Sequence, residues 1–209
     1  MNIFTLDNLF LLLTGLLSIY LLWRFYTRWS KEKKLYDLYY AMGFLVLLVS
    51  GLLLIFLGLG ILVSPFVLAV ASLIPLGISM GLVEQYFPKY KKAFKWFALV
   101  GFLAIAISAI LEVDIVKKIS VPLFHGVAGL VIFLGPFLAK KASKGFWWVG
   151  IGGALIGLGG IALAFISMGA QLLFFSPSFV MAVLTPLLLL MTLAFTYGFV
   201  RDIKGQKPI

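Results

Sequence analysis

Apolar residues in this chain come in long unbroken runs, not in period-two alternation or in narrow stripes. Seven runs stand out, over residues 4–23, 35–57, 60–83, 94–111, 119–139, 146–168 and 179–200. Each is about 20 residues long, enough at roughly 1.5 Å per residue to cross a hydrocarbon core of about 30 Å. Lipid offers backbone N–H and C=O groups no partner, so a crossing segment must be a helix or part of a closed barrel. Runs this long without alternation suit helices. The pattern predicts an all-α integral membrane protein, a seven-transmembrane-helix bundle that forms a single domain over residues 1–209.

The polar residues between the runs give a direction. Of 17 Lys and Arg, Arg24, Arg28, Lys31, Lys33 and Lys34 follow the first run, and Lys89, Lys91, Lys92 and Lys95 follow the third. Lys140, Lys141 and Lys144 follow the fifth, while Arg201, Lys204 and Lys207 follow the seventh. Only Lys117 and Lys118 fall on the other side, beside Glu112 and Asp114. By the positive-inside rule the crowded side is cytoplasmic, so the N-terminus lies outside, the C-terminus lies inside and the number of crossings is odd. Trp23, Trp29, Trp96, Trp147 and Trp148, with tyrosines 26, 36, 39, 40, 86, 90 and 197, gather at the same ends. Amphipathic rings favour the headgroup layer, so these positions read as an interfacial belt. The expected location is a cell membrane, multi-pass, with the bilayer itself and anionic headgroups at the cytoplasmic face as partners.

Composition narrows the function classes. Charged residues are 11% of the chain against roughly 25% in soluble domains. The seven runs leave no stretch for a soluble catalytic or nucleic-acid-binding domain, so the net charge of +10 does not imply a nucleic acid partner. Cysteine is absent, which excludes disulfides, iron–sulfur clusters and thiolate metal sites. The first run opens MNIFTLDNLF, with Asp7 where a signal peptide would carry basic residues, and is read as a retained helix. Asparagine and glutamine are scarce, a trait of thermophile proteins.

Runs one to three and five to seven share an orientation, and they also share residues. Leu9, Phe10, Gly15 and Leu16 match Leu123, Phe124, Gly129 and Leu130 at one constant offset. SPFVLAVASLIPL from Ser64 parallels SPSFVMAVLTPLL from Ser176, with a second proline at Pro75 or Pro186, at an offset that drifts by a residue or two. A parallel 3+1+3 repeat would follow, the fourth helix inverting the second half. This plan resembles that of the SWEET-type sugar transporters, which implies a substrate between the halves near midplane. The chain departs from that family in having no Pro-Gln pair and no midplane amide or tryptophan. The seventh run has no lysine for a retinal Schiff base, which removes a rhodopsin-like reading, and no cofactor is called for.

Ionisable residues deep in a membrane are costly and mark function, and here they are few. His125, expected about two turns from the outer end of the fifth helix, is the main candidate for ligand binding or proton sensing; Glu112 and Asp114, with Asp7 and Gln171, could form an outer polar pocket with it. The plainer reading of a lone histidine here is a neutral ring hydrogen-bonded across a helix interface. Asp37 and Glu84, at the cytoplasmic ends of the second and third helices, are expected to pair with surrounding lysines. Gly77-Ile78-Ser79-Met80-Gly81 has the G-x-S-x-G form, but Ser79 and His125 are expected roughly 20 Å apart in depth, so no hydrolase site and no catalytic residue is assigned. Gly153, Gly157 and Gly160 form a small-residue face for helix packing within the bundle or in a homo-oligomer. The expected function is a small permease or channel-like protein for a small, apolar or lipid-like solute. The alternative is a seven-helix sensor or scaffold signalling through its basic cytoplasmic face, a layout that the input modules of sensor kinases resemble.

Overall fold

The structure, a computed structural model, describes residues 5–167 and 176–205. Its helices are α1 (Leu6–Glu32), α2 (Leu35–Leu57), α3 (Pro65–Ala71), α4 (Leu73–Tyr86), α5 (Lys91–Ile110), α6 (Asp114–Leu138), α7 (Trp147–Ser167) and α8 (Pro177–Gly205). Two short 3-10 segments, Leu59–Val63 and Pro88–Tyr90, precede α3 and α5. No strand occurs among the described residues. Six helical rods are long and apolar enough to cross a membrane: α1, α2, α3 with α4, α5 with its leading turn, α6 and α8. In α7 the corresponding stretch, Trp147–Leu163, is apolar but shorter. Gln171 and Lys207 lie outside the described residues, as do the first residue of the first expected span and the last of the sixth.

The burial pattern is that of a protein solvated by lipid. Leu12, Leu16 and Ile19 on α1 are 49%, 53% and 50% exposed, and Leu103 and Ile107 on α5 are 45% and 52% exposed. Polar Thr14 and Ser18 lie buried on the opposite side of α1, their hydroxyls donating to the carbonyls of Phe10 and Thr14 at 2.9 and 2.8 Å. Water would penalise that outer surface over so many helices, whereas hydrocarbon does not.

Several element boundaries differ from expectation for local reasons. At its basic end α1 carries Arg24, Arg28 and Lys31 as helix, and only Lys33 and Lys34 connect it to α2. Arginine and lysine prolong a helix cheaply, and Lys33 in the left-handed region at φ 54° stops it. The third expected span is split at Ser72. Pro75 has no N–H to offer the Ala71 carbonyl, and the Ser72 hydroxyl donates to Ala69 O at 2.6 Å, so the chain bends there without leaving the layer. Both α3 and α8 begin with Ser-Pro, the proline filling the first helical position, where a missing N–H costs nothing. The fifth expected span begins five residues early, at Asp114, whose carboxylate favours a helix N-terminus and pairs with Lys117 one turn on at 2.8 Å. This places His125 at the middle of α6 and not two turns from its end.

The helices close into a ring in the order α1, α2, α4, α6, α7, α8 and back to α1, with α5 outside against α3, α4 and α6. Glycines set the tightest crossings. A Cβ on Gly77 of α4 would lie 2.9 Å from Tyr39 O and 3.0 Å from Gly43 N on α2. One on Gly153 of α7 would lie 2.6 Å from the backbone of Ile132 and Phe133 on α6. Backbones this close gain dispersion contacts that lipid cannot replace.

Candidate functional site

Inside the ring two regions differ in chemistry. Toward the basic end the core is aromatic: Phe25 of α1 stacks on Tyr40 of α2 at 4.9 Å, Tyr40 meets Phe199 of α8 at 4.7 Å, and Phe146 meets Tyr86 of α4 at 5.0 Å. Tyr40 is fully buried, so part of the expected tyrosine belt belongs to the core, while Trp23 and Trp96, 58% and 61% exposed, keep the surface position of an anchor.

Around these rings runs a buried polar network. Arg28 of α1 donates to Asp37 Oδ1 through Nε at 2.8 Å and Nη2 at 2.5 Å, and its guanidinium lies 5.0 Å from the Tyr36 ring centroid. Both partners are almost wholly buried. Asp202 of α8 accepts from the Tyr86 hydroxyl at 2.5 Å, from Gln85 Nε2 at 3.3 Å and from the Ser143 backbone N–H at 3.2 Å. Tyr40 joins it by donating to Gln85 Oε1 at 2.8 Å. The network ties α1, α2, α4, α8 and the turn before α7 into one plug. Asp37 forms an ion pair as expected, but with Arg28 and not with one of the surrounding lysines, and the pair is buried because both residues stand on core-facing registers of their helices. Glu84 does pair with lysines, Lys95 at 2.8 Å and Lys91 at 3.5 Å.

Further along the ring axis the packing opens into a cavity of about 120 Å³ among α1, α2, α3, α4, α6, α7 and α8 and the 3-10 segment before α3. Leucine and isoleucine dominate its lining, with Thr14, Ser50, Pro75, His125, Gly159 and Gly160. The Thr14 hydroxyl is already used by its own helix. The His125 Nε2 is sheltered and has no hydrogen-bond partner among the described residues. Gly160 makes room for the ring: a Cβ there would lie 2.2 Å from His125 Nε2. A buried polar atom with no partner is uncommon and calls for a reason.

The acids expected to join His125 do not. Glu112 sits exposed in the turn between α5 and α6 at φ 54°, and Asp114, roughly 16 Å along α6 from His125, is paired with Lys117. Asp7 accepts a hydrogen bond from Thr185 of α8 instead. No cluster of three metal-ligating side chains occurs among the described residues. Pro75, one turn before Ser79, lines the same cavity as His125, so the two residues are closer in depth than expected. Ser79 still forms no hydrolase site, because its hydroxyl is buried and donates to the Pro75 carbonyl at 2.7 Å.

The small-residue face of α7 lies against α6 within the bundle. Gly153 crosses the Ile132 backbone, the Gly157 Cα is 3.6 Å from where a Gly129 Cβ would be, and Gly160 cradles His125. Arg28 and Asp202 were not foreseen as site residues. A signal was present: Leu21, Phe25 and Arg28 share one face of α1, and Phe195, Phe199 and Asp202 share one face of α8, so each charge continues a buried stripe. The chain matches no protein-family model, no curated protein and no solved structure.

Proposed function

We propose that this protein is a seven-span cell-membrane permease or channel-like protein, N-terminus out and C-terminus in, for a small and largely apolar solute that carries one hydrogen-bonding group. The observation that carries the reading is the cavity at the junction of α1–α4 with α6–α8, aliphatic except for sparse polar groups and holding one unpartnered imidazole nitrogen. Its volume is close to that of an engineered cavity of about 150 Å³ that binds benzene. A wholly apolar molecule of that size crosses a bilayer unaided, so a carrier is useful only to a solute with a polar group, and the His125 Nε2 is a partner for one. The polar plug at the basic end closes the path on that side, as one state of an alternating-access carrier requires.

Two features support the 3+1+3 repeat. In a sequential ring with α5 outside, a half turn carries α1, α2 and α4 onto α6, α7 and α8. Under the constant offset of the first match, Leu11 corresponds to His125 and both line the cavity, while Gly15 faces Leu48 of α2 as Gly129 faces Gly157 of α7.

The test is uptake of labelled short-chain amphiphiles and small aromatic acids and amines into proteoliposomes, against protein-free liposomes. Faster entry that His125→Leu abolishes supports transport; equal entry in both preparations removes it. A sensor is the second reading, favoured because cavity-lining helices α1, α2, α4 and α8 all continue into the plug. Under it, a solute that binds without moving across would change the accessibility of the basic face.

A further inference from the structure

A second concavity lies on the outside of the ring, where α5 leans on α6. It is a groove of about 550 Å³ between the end of α4, the 3-10 turn Pro88–Tyr90, α5 and α6, walled by Phe87, Tyr90, Phe94, Phe97, Leu130 and Leu138 among others. Its wall on α6 runs from Leu138 back to Val127, roughly 16 Å of helix, which is about half of a hydrocarbon core of 30 Å. The groove is therefore as long as one leaflet is deep.

Its two ends are unlike. The inner end, toward mid-helix, is blocked by Phe97, whose ring stacks tilted against Phe124 at 4.8 Å. The open end is basic. Glu84 takes up Lys91 and Lys95, while the Lys89 ammonium lies 5.8 Å from the ring centroid of groove-lining Tyr90. Lys140 and Lys141 are exposed just beyond groove-lining Leu138. An apolar trench of single-leaflet length, stopped at the far end and ringed by lysines at the other, has the chemistry of a bound phospholipid: an acyl chain inside and an anionic headgroup at the mouth.

We propose that this groove is a specific site for one acyl chain of an anionic phospholipid, with Lys89 and Lys140 holding its phosphate. The proposal rests on the membrane-spanning reading and is independent of what the central cavity carries. Lipid that merely coats a membrane protein would show no preference for a headgroup and no dependence on these lysines.

The experiment is native mass spectrometry of the full chain, delipidated in detergent and offered equal amounts of phosphatidylglycerol and phosphatidylcholine. The wild type should retain phosphatidylglycerol in preference, by roughly an order of magnitude. The double variant K89Q/K140Q should lose most of that preference and K89R/K140R should keep it. Leu130→Trp, at a position already 56% exposed to lipid, should obstruct the groove and lower retention of both lipids while the protein stays folded. Equal retention of the two lipids by the wild type, an unchanged preference in K89Q/K140Q, or undiminished retention in Leu130→Trp would each overturn the site. A chain that binds neither lipid and stays soluble without detergent would overturn the membrane reading itself.

Discussion

The same helices build two kinds of interior. At the basic end, α1 contributes Phe25 and Arg28, α2 contributes Asp37 and Tyr40, and α8 contributes Phe199 and Asp202, so rings stack and charges bond. Two to four turns away the same three helices offer Leu11 and Thr14, Leu47 and Gly51, Leu184 and Met191, and the space between them is not filled. Aromatic rings and charge-assisted hydrogen bonds fix a single geometry. Aliphatic side chains and glycines satisfy themselves without meeting one another, and they leave room. A rigid end beside an adaptable one is what a protein needs if it binds a small molecule and passes the consequence along its helices.

The comparison breaks most visibly if the charge is removed from the rigid end. Arg28→Met leaves Asp37 buried with no cation, and the expected loss is about 3–5 kcal/mol of stability, measured by unfolding in detergent. The double replacement R28M/D37L should recover most of it, since it removes both buried charges of the pair together. If R28M alone were neutral, the plug would not be the anchor of the fold.

Next in size is the contact between Gly160 and His125. Gly160→Ala puts a methyl where Nε2 stands, and displacing the imidazole should cost about 1–3 kcal/mol. His125→Ala in the same chain should restore the loss, so the two substitutions should be strongly non-additive. Additive effects would mean that the ring leaves the cavity wall easily and is not held for binding.

How much of this was legible in the sequence follows from what each feature depends on. The helices were legible because lipid makes one demand of every crossing segment, and long apolar runs answer it without regard to tertiary structure. Helix ends were less so: Arg24 to Lys31 look like a loop by polarity, yet nothing stops a helix there until Lys33 turns left-handed. Asp37 was found as a candidate but given the wrong kind of partner, because a lysine-rich neighbourhood in sequence says nothing of which cation faces the core. Asp202 was missed although it continues the stripe of Phe195 and Phe199. His125 stood out as the lone histidine, but its cavity depends on the shapes of seven helices meeting at one level, and no local pattern records that.

The smallest predicted effect is the one that measures the contrast itself. Leu82, with no exposure, sits in the packed aromatic core, while Leu54, 5% exposed, lines the cavity. Enlarging both to phenylalanine adds similar volume at two nearly equally buried sites. In the close-packed end the extra atoms must force neighbours off their rotamers, so Leu82→Phe should cost about 1–3 kcal/mol. In the other end they enter empty space and gain contacts, so Leu54→Phe should change stability by less than about 1 kcal/mol in either direction. Binding of xenon or benzene by the detergent-solubilised protein should survive the first substitution and fall in the second. Equal costs at the two positions would mean that the interior is packed alike throughout, and the case for a ligand in the ring would lose its physical basis.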